Sequence, residues 1–343
     1  MTHKIALIGY GGVGQGLVEI LRSKNDLLKE QLGHHFSIVS ISDLKKGSIH
    51  HPNGIDLDLL EGTMEKTGSL LDYPDQPGLI KGWDSLTTIE NSNADTVIEI
   101  TYTDVHTGQP AIDHCKAAFK NGKNVVMSNK GPVALAYQEL ASLAKENNVR
   151  FHFEGTVMSG TPAIRMPLVS LAGNEITEIR GILNGTTNYI LTKMEEGMSY
   201  DKALLEAQRL GYAEADPKSD VDGYDVMYKV VILANVVMGV PLKKEDVYCR
   251  GIRELTTEDI EQARREQRKW KLIGKIKKED HRVIASVGPE KVANTDPLAG
   301  VSGAMNAITY DCDLSGPITL TGAGAGIIET GYSLLIDLIN LER

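Results

Sequence analysis

The chain has 343 residues, of which 41% are hydrophobic and 24% are charged, and its formal net charge is -10. This length exceeds that of one ordinary core and favours two domains. The acidic balance leaves no basic excess to neutralise phosphates, which argues against nucleic-acid and anionic-membrane partners. Three widely spaced cysteines without a CxxC pair give no disulfide framework and no zinc pattern, so a reducing cytoplasm is expected.

The N-terminal residues run directly into a predicted strand, 4–8, which leaves no room for a signal peptide. The longest apolar run, 230–240, contains Asn235 and is shorter than the roughly 20 residues that a membrane span needs. We therefore expect a protein that is neither exported nor embedded in a membrane.

The first predicted strand is followed by a glycine-rich turn and then by hydrophobic residues at helical spacing. Glycines at GxGxxG spacing allow a tight turn and close approach of the backbone to a pyrophosphate at the helix N-terminus. The pattern alone is common, but its position between the first strand and a helix favours a dinucleotide site. The cofactor-binding residues expected here are Gly9, Gly11, Gly12, Val13 and Gly14.

Asp43 ends the second predicted strand, 36–43, where an acid is expected to bind the ribose hydroxyls of the cofactor. It lies farther from the glycines than the usual spacing of about 20 residues, because the first helix is predicted to run through Leu32. Lys45 and Lys46 follow directly and could bind a 2′-phosphate instead. NAD and NADP therefore both stay open, and Asp43 could equally be a turn residue.

Two further strands are predicted at 96–101 and 123–130, with Thr103 just after the first and Lys130 at the end of the second. Ligands bind at the carboxyl ends of strands in an open parallel sheet, so Thr103 and Lys130 are expected near the nicotinamide. A lysine at the end of a strand is otherwise usually solvated. A helix at 133–147 is predicted to lead out of this nucleotide domain.

The pattern changes in the second half of the chain. A strand at 149–153 is predicted to end at Glu154, and Thr161 is predicted to cap a helix that begins at Pro162. Later elements are a strand at 176–183, a break at 184–188, helices at 189–196, 200–210 and 257–269, strand pairs at 272–277 with 282–287 and at 306–310 with 318–320, and a glycine turn before a helix at 328–341.

These elements predict an α/β protein with a Rossmann-type doubly wound sheet and a second α+β domain. The expected domains are a dinucleotide-binding domain at 1–134, a substrate-binding and dimerisation domain at 135–316, and a C-terminal segment at 317–343 that returns to the nucleotide domain.

Residues 214–229 place five carboxylates and two lysines directly before an apolar run. Asp225 and Lys229 are four residues apart, so on a helix they lie on the same side as Ile232 and Val236, which points inward. Burying an ion pair is costly, so an acid and a lysine on an inward face indicate a functional site. A surface salt bridge at helical spacing is the alternative.

Five stretches together resemble the homoserine dehydrogenase family, in particular its short form without a C-terminal regulatory domain. They occur in family order and span nearly the whole chain: GYGGVG at 9–14, VMSNKGP at 126–132, GILNGTTNYI at 181–190, GYAEADP at 211–217 with the following residues to 229, and GAGAG at 322–326. One departure is Ala323, where proline is frequent in the family.

The resemblance implies reversible hydride transfer between NAD or NADP and the terminal carbon of L-homoserine or L-aspartate 4-semialdehyde, in the biosynthesis of threonine and methionine. It implies that Lys130 and Lys229 flank the reacting oxygen, in a cleft between the domains, and that Asp225 and Glu214 bind the substrate amine. It further implies a pocket lined by Gly185, Thr186 and Asp220, a cofactor contact at Gly326, and a sodium-type cation site at Glu154, Val157, Ser159 and Thr161.

The resemblance also implies a homodimer whose interface lies in the second domain. Two other functions are left open by the residues. A related NAD(P)-dependent dehydrogenase acting at an amine carbon would release ammonia. A non-catalytic dinucleotide sensor would keep the glycine turn but would not need two lysines, so the presence of Lys130 and Lys229 counts against it.

Overall fold

The structure is a computed structural model that describes residues 2–279 and 282–341. Its contacts divide the chain into two compact units. The first unit consists of Met1–Thr156 and Gly326–Arg343, and the second unit consists of Val157–Ala325. These divisions fall beyond residues 134 and 316, where the sequence placed the domain boundaries. The reason is strand pairing: 151–152 still pairs within the first sheet, and 316–323 still pairs within the second.

The helices and strands have the following bounds. The helices are α1 (Gly12–Leu32), α2 (Leu57–Thr67), α3 (Ser85–Asn91), α4 (Ala111–Lys120), α5 (Lys130–Glu146), α6 (Gly185–Glu195), α7 (Tyr200–Arg209), α8 (Lys218–Val221), α9 (Tyr224–Val236), α10 (Thr257–Arg265) and α11 (Ile327–Leu341). The strands are β1 (Thr2–Ile8), β2 (His35–Asp43), β3 (Gly47–His50), β4 (Ile80–Lys81), β5 (Thr96–Glu99), β6 (Asn124–Met127), β7 (Phe151–His152), β8 (Ile176–Ile182), β9 (Tyr248–Cys249), β10 (Arg268–Glu279), β11 (Arg282–Ala293), β12 (Met305–Cys312) and β13 (Gly316–Ala323).

The first unit is built on a seven-stranded sheet with the order β4-β3-β2-β1-β5-β6-β7. The strands from β2 to β7 in this order run parallel, whereas β3 and β4 are antiparallel additions at one edge. Because β1 lies between β2 and β5, the chain switches direction across the sheet at the carboxyl end of β1. Ligands of doubly wound folds bind at such a switch point.

The helices of the first unit form two groups. The first helix, α1, packs against α2 and α11, whereas α4 packs against α3 and α5. Apolar residues of β1, α1 and α11 share one buried cluster that includes Leu7, Leu17 and Leu338. The predicted Rossmann-type fold class is confirmed, and the C-terminal helix belongs to this unit.

The second unit is built on a six-stranded sheet with the order β13-β12-β8-β10-β11-β9. Its pairs are antiparallel apart from β9 with β11. Helix α9 packs closely on β10 at Gly274, where the lack of a side chain makes room. An ideal Cβ at Gly274 would lie 2.8 Å from side-chain atoms of both Val226 and Val230. This packing fixes the helix that carries Asp225 and Lys229.

Two helices begin earlier than the sequence predicted, for the same reason. Helix α5 begins at Lys130 instead of 133, because the Asn129 side chain accepts a hydrogen bond from the Gly131 N–H at 3.0 Å. Helix α6 begins at Gly185 instead of 189, because the Asn184 side chain accepts from the Thr187 N–H at 2.9 Å. Each asparagine is an N-cap. Lys130 therefore starts a helix and does not end a strand, since β6 ends at Met127.

Two other predictions of secondary structure were wrong. Thr161 does not cap a regular helix; its hydroxyl donates to the Ala323 carbonyl at 3.3 Å, and a π-helix follows at Met166–Ser170. Helix α10 ends at Arg265 because Gln267 adopts a left-handed backbone conformation with φ 57°, after which β10 begins. Between the predicted paired strands at 272–277 and 282–287, residues 280 and 281 lie outside the described part of the chain. No helix within that part combines the length and hydropathy required for a membrane span.

Candidate active site

The glycine turn after β1 has the geometry that a pyrophosphate site requires. Gly9 has φ +100°, and an ideal Cβ there would lie 2.6 Å from the Ile100 carbonyl oxygen, so no other residue fits. An ideal Cβ at Gly11 would have no neighbour within 4 Å among the residues that the structure describes. Gly11 caps α1 without a side-chain hydrogen bond, so the first N–H groups of this helix can face an anion.

Asp43 is attached to this turn. Its Oδ2 accepts from the Tyr10 N–H at 2.8 Å, and its Oδ1 accepts from the Lys45 and Lys46 N–H groups at 2.9 and 3.0 Å. Burial acts to raise the pKa of Asp43, but these hydrogen bonds and the nearby Lys46 charge outweigh burial and hold the pKa below its usual range. The Lys46 ammonium donates to the Tyr10 carbonyl at 2.6 Å. A carboxylate and a lysine therefore both flank the glycine turn.

The C-terminal glycine segment lies beside the same turn. Gly326 precedes α11 with φ +146°, and the next residue, Ile327, has its Cδ1 3.3 Å from the position of an ideal Cβ on Gly12. An ideal Cβ on Gly16 would lie 2.6 Å from the Ile327 carbonyl oxygen. Small residues on α1 thus allow α11 to begin close to the predicted cofactor site.

The structure brings the segments of Thr103 and Lys130 together. Thr103 is exposed in the loop after β5, and Lys130 is the half-buried first residue of α5. An ideal Cβ on Gly131 would lie 2.7 Å from the Asp104 carbonyl oxygen, so this loop contacts the start of the helix. Both residues lie past the carboxyl ends of neighbouring parallel strands, β5 and β6.

Lys229 and Asp225 are buried in the second unit, with exposed fractions of 6% and 8%. The Lys229 ammonium donates to Asp225 Oδ2 at 2.7 Å and to the Leu183 carbonyl at 2.6 Å. The expected contact across one helical turn is therefore present, on an inward face. A surface salt bridge is excluded.

Asn184 joins this pair to a second acid. Its Nδ2 donates to Asp220 Oδ1 at 2.7 Å and to Asp225 Oδ2 at 3.0 Å, while its Oδ1 caps α6. Sequence reasoning missed Asn184 because it treated 184–188 as a break between elements. The signal was available, since asparagine is among the preferred N-cap residues.

The other predicted pocket residues lie around the start of α6 and the loop before α8. Gly185 is required there because an ideal Cβ would lie 2.6 Å from the Ala304 carbonyl oxygen. The Thr186 hydroxyl donates to the Tyr212 carbonyl and so attaches this loop to α6. Glu214 is exposed in the loop, and its own carbonyl accepts from Gln208 Nε2 at 3.1 Å.

The predicted cation site has a distinctive backbone. Glu154 is buried in the first unit, and its N–H donates to Asp337 Oδ2 at 2.8 Å. In the second unit, Met158 and Ser159 have φ 59° and 53°, an uncommon conformation for residues with side chains. The described residues include no group of three or more His, Cys, Asp or Glu that could hold a metal. The predicted site uses only one carboxylate, together with the backbone carbonyls of Val157, Ser159 and Thr161. The absence of a side-chain cluster therefore does not test it, and the cation site stays a prediction.

The glycine turn and parallel sheet form a dinucleotide-binding unit, and the second unit holds a buried pair of a lysine and an aspartate. A dinucleotide-binding unit of this kind is typical of nicotinamide-dependent oxidoreductases. A family model described as homoserine dehydrogenase matches residues 162–339, and one described as the NAD binding domain of homoserine dehydrogenase matches residues 9–154. The chain belongs to the homoserine dehydrogenase family, as the resemblance predicted.

Comparison with individual proteins agrees. The chain is 43% identical to an NAD(+)-dependent homoserine dehydrogenase of Pseudomonas canavaninivorans, over 99% of this chain and 96% of that protein. It is 42% identical to a homoserine dehydrogenase of Methanocaldococcus jannaschii, with 98% of each covered. A hyperthermophilic archaeal homoserine dehydrogenase mutant in complex with NADPH superposes with TM-score 0.84 at 32% identity, covering 100% of this chain and 98% of that one. The chain is an NAD(P)-dependent oxidoreductase of amino-acid biosynthesis.

Proposed function

We propose that Lys229 is the acid/base residue for interconversion of L-homoserine and L-aspartate 4-semialdehyde. The observation that carries this proposal is its buried ion pair with Asp225, which is joined through Asn184 to Asp220. When bound, the nicotinamide supplies or accepts the hydride. In the reducing direction the Lys229 ammonium donates a proton to the developing alkoxide, and in the oxidising direction the neutral lysine accepts the hydroxyl proton.

The carboxylates have two roles in this proposal. Asp225 orients Lys229 through the 2.7 Å contact, and together with Glu214 it binds the substrate ammonium. The exposure of Glu214 supports a role in contacting a ligand that arrives from solvent. Asp220, Gly185 and Thr186 are proposed to line the pocket, since Asp220 shares Asn184 with Asp225, and the two others begin α6 directly after Asn184.

Lys130 is proposed as a second lysine that acts on the same substrate oxygen and contacts the nicotinamide. Its position at the start of α5, past the carboxyl end of a parallel strand, supports the cofactor contact. The glycines of 9–14 with Val13, and also Asp43, Thr103 and Gly326, are proposed to bind the cofactor, which the open helix N-terminus at Gly11 supports.

The direct test is to mix the protein with L-homoserine and NAD or NADP and to follow formation of reduced nicotinamide. Lys229→Ala is expected to lower turnover by at least about 10²-fold, the usual scale for a positioned proton transfer. Lys193→Ala is the matched control, because Lys193 forms a more exposed ion pair with Glu196 on another helix of the same unit. Unaltered turnover in a folded Lys229 variant would remove this residue from the mechanism. Ammonia among the products would indicate chemistry at an amine carbon instead.

We also propose that NAD is preferred over NADP. The ionised Asp43 carboxylate at the end of β2 would repel a 2′-phosphate, and Lys46 already donates to a main-chain carbonyl. The similar Pseudomonas protein is described as NAD(+)-dependent, which supports this preference. The ratio of kcat/KM for NAD to that for NADP should exceed one and should fall in Asp43→Asn. A higher kcat/KM for NADP in the unaltered protein would contradict the proposal.

Three further features are proposed from the family resemblance. The second unit is proposed to form the interface of a homodimer, and the protein is proposed to be cytoplasmic. Light scattering at several protein concentrations measures the mass of the assembly.

Glu154 and the loop at 157–161 are proposed to bind a sodium-type cation, which the left-handed conformations of Met158 and Ser159 support. Replacing sodium by a bulky organic cation at constant ionic strength should lower turnover if this site is occupied during catalysis.

A further inference from the structure

A buried polar cluster in the first unit is not used by the proposed mechanism. It centres on Glu99, the last residue of β5, which is completely buried. Glu99 Oε2 lies 2.5 Å from Nδ1 of His114, a residue of α4 that is only 4% exposed. The carboxylate is therefore attached on one side to a helix that packs beside the sheet.

The other carboxylate oxygen of Glu99 faces the segments of the predicted nicotinamide site. Oε1 accepts from the Thr101 N–H at 2.8 Å and from the Thr101 hydroxyl at 2.5 Å. Asn129 Nδ2 lies 3.5 Å from the same oxygen and 3.2 Å from the Tyr102 carbonyl. Glu99 thus contacts the loop after β5 and the residue before Lys130.

Asn129 links Glu99 to helix α5. While its Nδ2 contacts Glu99 and the loop, its Oδ1 accepts from the Gly131 N–H at 3.0 Å and caps the helix that begins with Lys130. A continuous set of hydrogen bonds therefore runs from α4 through the end of β5 to the first turn of α5. These groups converge on the two segments that carry Thr103 and Lys130.

A purely structural role does not account well for this arrangement. Replacing buried ionic groups by apolar residues of similar volume is often neutral or stabilising, so stability alone gives no reason for an acid here. Once the acid is present, however, its neighbours depend on it, because the donors of Thr101 and Asn129 would lose a hydrogen-bond acceptor without Glu99. A carboxylate with several fixed donors holds its neighbours in one geometry, which is useful where reacting groups must be placed accurately.

We infer that Glu99 is a positioning residue, held by His114, which fixes the 101–102 loop and Asn129 and thereby orients Lys130. This inference rests on the proposed role of Lys130. Glu99 itself touches neither substrate nor cofactor in this role. Its removal should therefore slow the transfer step in every folded molecule, while cofactor affinity, which depends mainly on the glycine turn, changes little.

The test measures the pre-steady-state burst of reduced nicotinamide, with homoserine and cofactor both in excess over the enzyme. A loss of folded protein lowers the amplitude of reduced nicotinamide, whereas misplacement of Lys130 lowers the rate constant. Glu99→Gln keeps the side-chain size but places an N–H₂ donor among donors, and it is expected to lower the rate constant by about 10- to 100-fold. The dissociation constant of the reduced cofactor, measured by fluorescence, should stay within a factor of three.

His50→Gln is the matched control, because His50 is a buried histidine of the same unit whose Nδ1 lies 2.6 Å from the Ser40 hydroxyl. It should affect amplitude or stability only. If Glu99→Gln does not fold, Asn129→Ser serves instead, because serine keeps the helix cap but loses the amide donor to Glu99 and Tyr102. Its rate constant should fall likewise.

Two negative results are distinguishable. If Lys130→Ala is slow but Glu99→Gln and Asn129→Ser keep the unaltered rate constant, the positioning inference is overturned and the proposed function stands. If Lys130→Ala itself keeps the unaltered rate constant, the role of Lys130 is wrong, and the inference about Glu99 falls with it.

Discussion

The ion pair between Lys229 and Asp225 allows a test of stability that is separate from catalysis. The joined atoms are 2.7 Å apart, and the two side chains are only 8% and 10% exposed, so solvent screens the pair weakly. At an effective dielectric constant of about 20 the attraction is about 6 kcal/mol, but removing both ions from water costs several kcal/mol each. The intact pair should therefore contribute little net stability, whereas breaking it should be costly.

The perturbation is to remove the partners singly and then together. Lys229→Met leaves a buried carboxylate, and Asp225→Leu leaves a buried ammonium. Each should lower the free energy of unfolding by about 3 kcal/mol, roughly a 150-fold change in the ratio of folded to unfolded protein. The double variant replaces the pair by apolar groups and should recover most of the loss, which gives a coupling energy of at least about 3 kcal/mol.

The assay is urea unfolding followed by tryptophan fluorescence. The chain has two tryptophans, Trp83 in the first unit and Trp270 in the second. A Trp83→Phe background therefore reports the second unit alone. All three variants should be inactive whatever their stability. If the losses of the single variants simply add in the double variant, the two residues do not act as a buried pair and the reasoning is refuted.

Three other changes test different parts of the molecule. Lys130→Ala should lower turnover by at least about 10²-fold and leave unfolding of the second unit unchanged, which the same fluorescence assay checks. Asn184→Ala should lower the unfolding free energy by about 1 to 2 kcal/mol, through loss of the α6 cap, and should also lower turnover. Burial lowers the pKa of Lys271. The unfolded chain therefore binds more protons between that folded pKa and about 10.4, so stability should rise with pH across this window, and Lys271→Met should remove the rise.

Local patterns were sufficient to predict several parts of the structure. The glycine turn, the long first helix to Leu32 and the contact between Asp225 and Lys229 depend on residues that are close in sequence. The i,i+4 spacing defines one helix face, and the following apolar residues show which way that face points. The sequence therefore located the buried ion pair without knowledge of its tertiary neighbours.

The rest depended on contacts between distant segments. Asn184 reaches Asp220 and Asp225 across sequence separations of 36 and 41 residues. Glu99 meets His114 and Asn129 across 15 and 30 residues. No spacing rule connects such residues, because only the packing of separate elements brings them together. The early starts of α5 and α6 are a different case, since N-cap preference could have predicted them.

Burial alone does not favour Lys229 as the proposed catalytic lysine, because Lys271 of the same unit is fully buried. The charges around each lysine separate them. Lys271 lies 3.6 Å from Glu195, which also lies 3.5 Å from Lys269, so this group has two lysines and one acid. The Lys229 group has one lysine and, through Asn184, two aspartates. A substrate that carries an ammonium would be repelled by the first group and attracted by the second, which favours Lys229 for the reaction.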